Sequence, residues 1–238
     1  MRELAGDVRH LSINAATLRR QLTLPGVIEA CARRGIPAID PWRDQVQAVG
    51  LARVTRQVRD AGLALTGYCR GGFFPAVDAA GLGAALADNR RAVEEAKALG
   101  ATCLVLVAGA LPGALAGRPT HKDIGLARAQ VHDGIAATLE QALDLCDALD
   151  PGRSGALGVA LDVYHTWWDP KLALQIARAG RERLLAYHVC DWLVPTRDLV
   201  NDRGMMGDGI IELKKIRGLV EAAGYGGHVE VEIFSQAW

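Results

Sequence analysis

Short strand-like runs alternate with longer helix-like runs along this chain, and a glycine stands just past each of the first helices. Gly35 follows Leu24–Arg34, Gly62 follows Val46–Ala61, and Gly100 follows Gly81–Leu99. A glycine there releases the chain from the helix at no steric cost, so each helix ends and the next strand begins. Strands read at Leu11–Asn14, Ile36–Trp42, Leu63–Cys69 and Thr102–Val107, and later at Leu157–Val163, Leu184–Asp191 and His228–Phe234. Alternation of this kind leaves parallel βα units as the economical fold. The 238 residues are close to the roughly 250 of one (β/α)8 barrel, so residues 1–238 are expected to form a single domain of that type.

The side-chain parity of the last three strands turns the fold into a site. In Leu157–Val163 the bulky Leu157, Val159, Leu161 and Val163 take one face, while Gly158, Ala160 and Asp162 take the other. In Leu184–Asp191, His188 shares a face with Leu184, Ala186 and Cys190. In His228–Phe234, Glu230 and Glu232 lie opposite Val229, Val231 and Ile233. Helices cover the bulky face of a barrel strand, so Asp162, His188 and the two glutamates point inward. Three successive strands thereby deliver metal-capable groups to one end. A lone Asp usually caps a helix and a lone His is usually a core residue; it is the coincidence that points to a shared site.

Barrel sites are built from the segments after the strand C-termini. Trp42, Tyr68, Arg70, Gly71 and Gly72 therefore become candidate pocket lining. The rhythm breaks once, between Val107 and Leu157. A Gly/Pro/Ala-rich loop over Ala108–Pro119 is followed by a helical pattern over Asp123–Leu149, whose apolar stripe is Val131, Ile135, Leu139, Ala142, Cys146 and Leu149. At 1.5 Å per residue that helix would run roughly 40 Å, and Gly134 is the place for a kink. The expectation is seven main parallel strands, with a gap next to Leu157–Val163 that the long helix or a second chain covers. Gly207-Asp208-Gly209 ahead of a helix is a weak candidate anion cradle.

Asp162-x-x-His165, His188-x-x-Asp191, Asp202-Arg203-Gly204 with Gly207 and Gly209, and Val229-Glu-Val-Glu232 together resemble the xylose isomerase-like TIM-barrel superfamily of sugar (phosphate) isomerases and epimerases. That group includes D-tagatose 3-epimerase, hydroxypyruvate isomerase and myo-inosose dehydratase and, more distantly, endonuclease IV. The resemblance implies Asp162, His188 and Glu232 as ligands of a divalent ion and Glu232 as acid/base. It also implies His165 and Arg203 at the substrate, with Arg197 as the alternative because the loop before Arg203 is long. Trp167, Trp168 and Trp192, with Trp42 and Tyr68, would wall a sugar ring. Asp191 would touch substrate, orient His188 or cap its loop. The family's fifth strand, with a glutamate ligand and second acid/base, has no counterpart between Val107 and Leu157. The simplest account is an in-frame loss near Ala137.

Oxygen and imidazole donors without thiolate favour a labile ion, Mn2+ first and Mg2+ or Co2+ next. The implied chemistry is removal of a proton beside a ketone to give an enediolate. Isomerisation, epimerisation or β-elimination follows from the fate of that intermediate, and a single remaining base favours outcomes other than two-base inversion. A catalytically impaired binding or assembly module is the competing reading. Lys plus Arg and Asp plus Glu number 27 each, so nothing argues for nucleic acid, and a small sugar-like ligand is the expected partner. The five cysteines, odd in number and without a C-x-x-C pair, read as free thiols, and no 18-residue apolar run occurs. A cytoplasmic protein without membrane spans, open to homo-oligomerisation, is expected.

Overall fold

In the computed structural model the described residues are 6–73, 79–107, 143, 146, 147 and 150–236. The first strand, β1 (Leu11–Asn14), leads through a short 3-10 turn into α1 (Leu24–Arg33). Pro25 sits in the first turn of α1, and Leu24, Val27, Ile28 and Cys31 form its buried stripe. Next come β2 (Ala38–Asp40), α2 (Arg43–Val49) and α3 (Leu51–Asp60). The single helix expected over Val46–Ala61 is two helices, because Gly50 takes φ 96° and turns the chain between them.

The third strand of the sequence is split into β3 (Ala64–Leu65) and β4 (Cys69–Gly72). There follow α4 (Ala79–Leu99) and β5 (Val105–Val107), and then, beyond the undescribed stretch, β6 (Val159–Asp162), α5 (Val163–Thr166) and α6 (Leu172–Arg183). The chain finishes with β7 (Leu184–Val189), the short β8 (Asp191–Trp192) and β9 (Arg203–Gly204), α7 (Leu213–Ala222) and β10 (Val229–Val231).

The main sheet is parallel with strand order β3-β2-β1-β10-β7-β6. The first and last strands lie side by side, as they must when βα units wind into a barrel. β4 and β5 form a parallel pair that continues the same series. Trp42 bridges to Cys69, Thr102 N–H donates to Leu65 O at 3.4 Å, and Val105 N–H donates to Tyr68 O at 3.1 Å. All seven expected strands are thus present, one of them in two pieces. Among the described residues nothing pairs with the free edges of β5 and β6. The expected loop Ala108–Pro119, most of the helix Asp123–Leu149 and the proposed loss near Ala137 lie outside the described residues. Of that helix, Leu143 and Cys146 are described, helical and buried.

Two apolar clusters sit between the sheet and its helices. One joins Val159, Leu161, Tyr187 and Val231 to Ile176 of α6 and to Ile216 and Val220 of α7; the other joins Ile39 and Leu65 to Val27, Val46 and Val54. Leu161, Ile176 and Ile39 are fully buried, and each contributes roughly 1.5–3 kcal/mol. Arg183, also fully buried, ties the start of β7 to its neighbours. Its guanidinium donates to Asp150 Oδ2 at 2.8 Å, Leu157 O at 2.8 Å and Cys146 O at 3.1 Å. The outward bulky and inward polar parity of β6, β7 and β10 is therefore enforced by burial on the helix side. No described helix is long and apolar enough to cross a membrane.

Candidate active site

The register across the last strands places Asp162 beside His188 and His188 beside Glu230, with Glu230 beside Ser12 of β1. Glu232 lies one inward position further along, at the mouth. Asp162, His188 and Glu232 each offer a donor atom, and these atoms lie within 4.8 Å of one another. All three are sheltered, with side chains 13%, 4% and 9% exposed. The three groups picked out by parity converge.

Asp162 ends β6 and caps α5 at once. Its Oδ1 accepts from Tyr164 N–H at 2.8 Å, which frees Oδ2 to face the site. The strand therefore stops at Asp162, and Val163 begins a helical turn rather than ending the strand. That turn sets His165 at the rim with its side chain 61% exposed, Nε2 3.6 Å from Asp162 Oδ2 and 3.2 Å from Arg203 Nη2.

Arg203 reaches the centre despite its long preceding loop. Its Nη1 lies 3.1 Å from Asp162 Oδ2 and 3.0 Å from Glu232 Oε2, and its guanidinium packs between the rings of Tyr164 at 4.4 Å and Phe234 at 4.8 Å. Arg197 is occupied elsewhere, its guanidinium 2.5 Å from Asp202. The loop is held by Asp191, whose Oδ1 accepts from Trp192 N–H at 2.9 Å and Ile211 N–H at 3.0 Å, while Oδ2 accepts from Gly207 N–H at 2.9 Å. Capping the loop is thus the role the hydrogen bonds of Asp191 show. The candidate cradle at Gly207 is filled by that carboxylate. Gly209 fits because a Cβ there would lie 2.2 Å from Trp192 O. Asp191→Ala is expected to strand three N–H groups, lower stability by roughly 1.5–3 kcal/mol and loosen Arg203. Urea denaturation checks the first effect and limited proteolysis of the 197–211 loop the second.

A second, deeper layer joins Glu230, already placed inward by parity, to Asn14 and Asp40, which were not singled out from the sequence. His188 lies between two glutamates, Nδ1 3.7 Å from Glu232 Oε2 and Nε2 3.3 Å from Glu230 Oε1, the latter without hydrogen-bond alignment. Glu230 in turn accepts from Asn14 Nδ2 at 2.9 Å and Thr66 Oγ1 at 2.7 Å. Asp40, fully buried, joins His188 and Glu230 in a second group of three close donors. The rule that exposed Asp162 also applies to Asn14 and Asp40, the last residues of β1 and β2; they were legible by the same means.

Charge in this layer is divided unevenly. Burial would push the His188 imidazole down, but Glu230, Glu232 and Asp162 outweigh it and hold it up at about 10. Burial and then Glu230 push the Asp40 carboxyl well up. At Asp162 burial also pushes up, but the Arg203 cation and the neighbouring histidines prevail and its carboxyl stays low. The carboxyl groups of Asp162, Glu230 and Glu232 thus stand close to His188, and Arg203 pairs with Asp162 and Glu232. The donor set is oxygen and imidazole, sheltered and anionic, and it fits a divalent ion in which His188 gives up its proton.

The aromatic candidates separate. Trp192 stacks on Tyr164 at 4.7 Å and meets Trp167 at 5.9 Å, so this pair flanks the ring beneath Arg203. Trp42 joins the opposite wall, edge-on to Phe234 at 5.5 Å and donating Nε1–H to Asn14 Oδ1 at 2.7 Å. Trp168 is 43% exposed and makes no ring contact with them among the described residues. Tyr68 is fully buried and its hydroxyl donates to Glu95 Oε2 at 3.0 Å, so it faces α4 and not the mouth. The split of the third strand ends its alternation before Tyr68.

Residues 125–237 match the family model for xylose isomerase-like TIM barrels. No curated protein sequence matches the chain. Among solved structures, protein SMc04130 from Sinorhizobium meliloti 1021 is 52% identical, with 97% of this chain and 91% of that one covered at a TM-score of 0.84. The IOLI protein, solved with a bound zinc atom, is 17% identical over 96% of this chain and 90% of its own, at a TM-score of 0.74. A D-allulose 3-epimerase from Methylomonas sp., solved in complex with D-allulose, is 17% identical over 95% and 84%, at a TM-score of 0.68. At such identities the last two establish the shared fold.

Proposed function

We propose that this chain, which belongs to the xylose isomerase-like TIM-barrel superfamily, is a divalent-metal-dependent isomerase or epimerase of a keto-sugar or related polyol. The observation that carries this reading is the convergence of Asp162, His188 and Glu232 at the strand ends, with Arg203 Nη1 about equally close to both carboxylates. Asp162 Oδ2, the imidazole of His188 and Glu232 would hold the ion, Mn2+ by the hardness of the set and Mg2+ or Co2+ after it. When bound, the ion supplies Lewis-acid polarisation of a substrate carbonyl and so acidifies the neighbouring C–H.

The rest falls to the protein. Glu232 is the carboxylate at the mouth and takes the proton from carbon, leaving an enediolate. Arg203, fixed between two rings, presents its cation to the oxygen on which charge develops, and pre-set donors of this kind stabilise such charge without reorganisation. His165, at the rim and in contact with Arg203, is placed to give or take a hydroxyl proton. The ring pair Tyr164 and Trp192 keeps water from one side. Among the described residues Glu232 is the base that faces this space. Return of its proton to the adjacent carbon is isomerisation, and loss of a β-hydroxyl is the dehydratase outcome. Inversion at one carbon needs a second base on the opposite face.

The test is incubation with Mn2+ and a panel of ketohexoses in D2O. Product aldose or dehydrated ketone, carrying solvent deuterium at one carbon, supports the reading. Rapid C3 inversion with deuterium uptake would contradict the one-base assignment, and no metal-dependent exchange on any substrate would contradict the function.

Glu230 supports the ligand set from behind. Carboxylates beneath a metal-bound imidazole fix its orientation, and their loss typically weakens metal binding 10–100-fold. Glu230→Gln is therefore expected to weaken Mn2+ binding by about that factor, read by titration calorimetry.

A further inference from the structure

We propose that the cavity bounded by Arg19, Trp42, Arg70 and Phe73 is a subsite for a terminal oxyanion of the substrate, a phosphate ester or a carboxylate. The proposal rests on the keto-sugar reading above and adds to it the charge of the substrate's far end.

The cavity has a volume of about 380 Å³ and lies at the C-terminal ends of β2 and β4. Three arginines and one carboxylate line it: Arg19, Arg43, Arg70 and Asp44. Arg43 is committed, its Nη1 2.5 Å from Asp88 and its Nε 2.6 Å from Glu95. Arg19 reaches the exposed Asp44 at a long 3.4 Å. Arg70 is half-buried and makes no ion pair or hydrogen bond with any described residue; it is held by ring faces, 4.0 Å from the Phe73 centroid and 5.6 Å from that of Trp42. Arg19 lies over the same Trp42 ring at 4.8 Å.

Two guanidinium groups thus share one indole, and the one carboxylate beside them, the exposed Asp44, engages Arg19 at a long 3.4 Å and makes no hydrogen bond to Arg70 among the described residues. Aromatic faces fix such groups in orientation while leaving their N–H forks free, and the fork matches carboxylate and phosphate oxygens. Like charges brought together repel unless a counter-charge joins them. Asp44 answers the charge of Arg19; a neutral sugar terminus would leave the Arg70 fork without an anion, whereas an oxyanion supplies one.

Aromatic contacts link the cavity to the ligand cluster. Trp42 forms its wall, touches Phe234 at 5.5 Å, and Phe234 lies 4.8 Å from the guanidinium of Arg203. Trp42 is also anchored to Asn14, which holds Glu230. One extended molecule can therefore present its keto-hydroxyl end to Asp162, His188 and Glu232 and its other end to Arg70.

The experiment measures binding of D-fructose, D-fructose 6-phosphate, a hexuronate and inorganic phosphate by calorimetry, to wild type and to Arg70→Gln and Arg70→Lys. Mn2+ titration runs in parallel on each protein. The expected result is preference for one anionic probe over D-fructose, a loss of about 10–100-fold for that probe in Arg70→Gln, and partial retention in Arg70→Lys. Mn2+ affinity should be unchanged. The phosphate and hexuronate arms tell which oxyanion the subsite takes. Equal affinity for D-fructose and every anionic probe, or anion affinity indifferent to Arg70, would overturn the subsite while leaving Mn2+ binding intact. Failure of Mn2+ to bind, with Arg70-dependent phosphate binding preserved, would instead count against the metal reading and leave the subsite standing.

Discussion

Glu232→Gln is expected to lower kcat by about 10²–10⁴-fold, the range that a positioned acid/base contributes. The side chain is 9% exposed, its Oε2 meets Arg203 Nη1 at 3.0 Å, and it stands one inward position nearer the mouth than Glu230. Glutamine preserves shape and one oxygen donor, so the fold should survive. Arg203 then loses one of its two carboxylate partners but keeps Asp162. The sign of the effect on binding separates two roles for Glu232. If it is base and ligand, both kcat and Mn2+ affinity fall; if it is a ligand alone, saturating Mn2+ restores kcat. The first outcome is expected, and steady-state kinetics across an Mn2+ series reads it. Glu230→Gln should not mimic this variant in kcat at saturating Mn2+, because Glu230 lies behind His188 and not before it.

His188→Ala is expected to abolish metal binding and to destabilise the metal-free protein. His188 is the residue shared by both groups of close donors, and Asp162, Glu230 and Glu232 all act on it. Those carboxylates hold its imidazole up at about 10, so in the metal-free protein it is a buried cation. Removing one partner of a buried charge pair costs about 3–5 kcal/mol, since the remaining charges stay desolvated without compensation. The metal-free variant should therefore unfold at lower urea than wild type. Unchanged stability would mean that His188 carries no charge there.

Much of this was legible in the chain, and the limits are physical. Two-residue alternation is strict where a strand is covered by helices, so Asp162, His188 and Glu232 could be placed inward without coordinates. The seven strands were legible for the same reason, their bulky sides being held by residues such as Leu161 and Ile39. Alternation fails where a strand breaks. Tyr68 was expected at the mouth, but the break between Leu65 and Cys69 turns it onto Glu95. Gly50 inside a helical pattern reads equally as tolerated or as a stop, and only its positive φ decides. Asp191 looked like a site residue because it follows His188 by three. Two of its three partners are backbone N–H groups far along the chain, which no local pattern reveals. Arg183 shows the same limit from the other side. Arginine in sequence reads as surface, yet Arg183 is a fully buried tie, whereas Arg70, expected as pocket lining after the third strand, does line a cavity.

Titration of Mn2+ into chelator-stripped protein, in wild type, Asp162→Asn and His188→Ala, tests the ligand set most directly. Calorimetry of wild type should give one ion per chain, with affinity reduced more than about 100-fold in both variants, beyond the 10–100-fold typical of an outer partner. No Mn2+ uptake by wild type, or binding that Asp162→Asn and His188→Ala leave unchanged, would contradict the assignment of these residues as a metal centre.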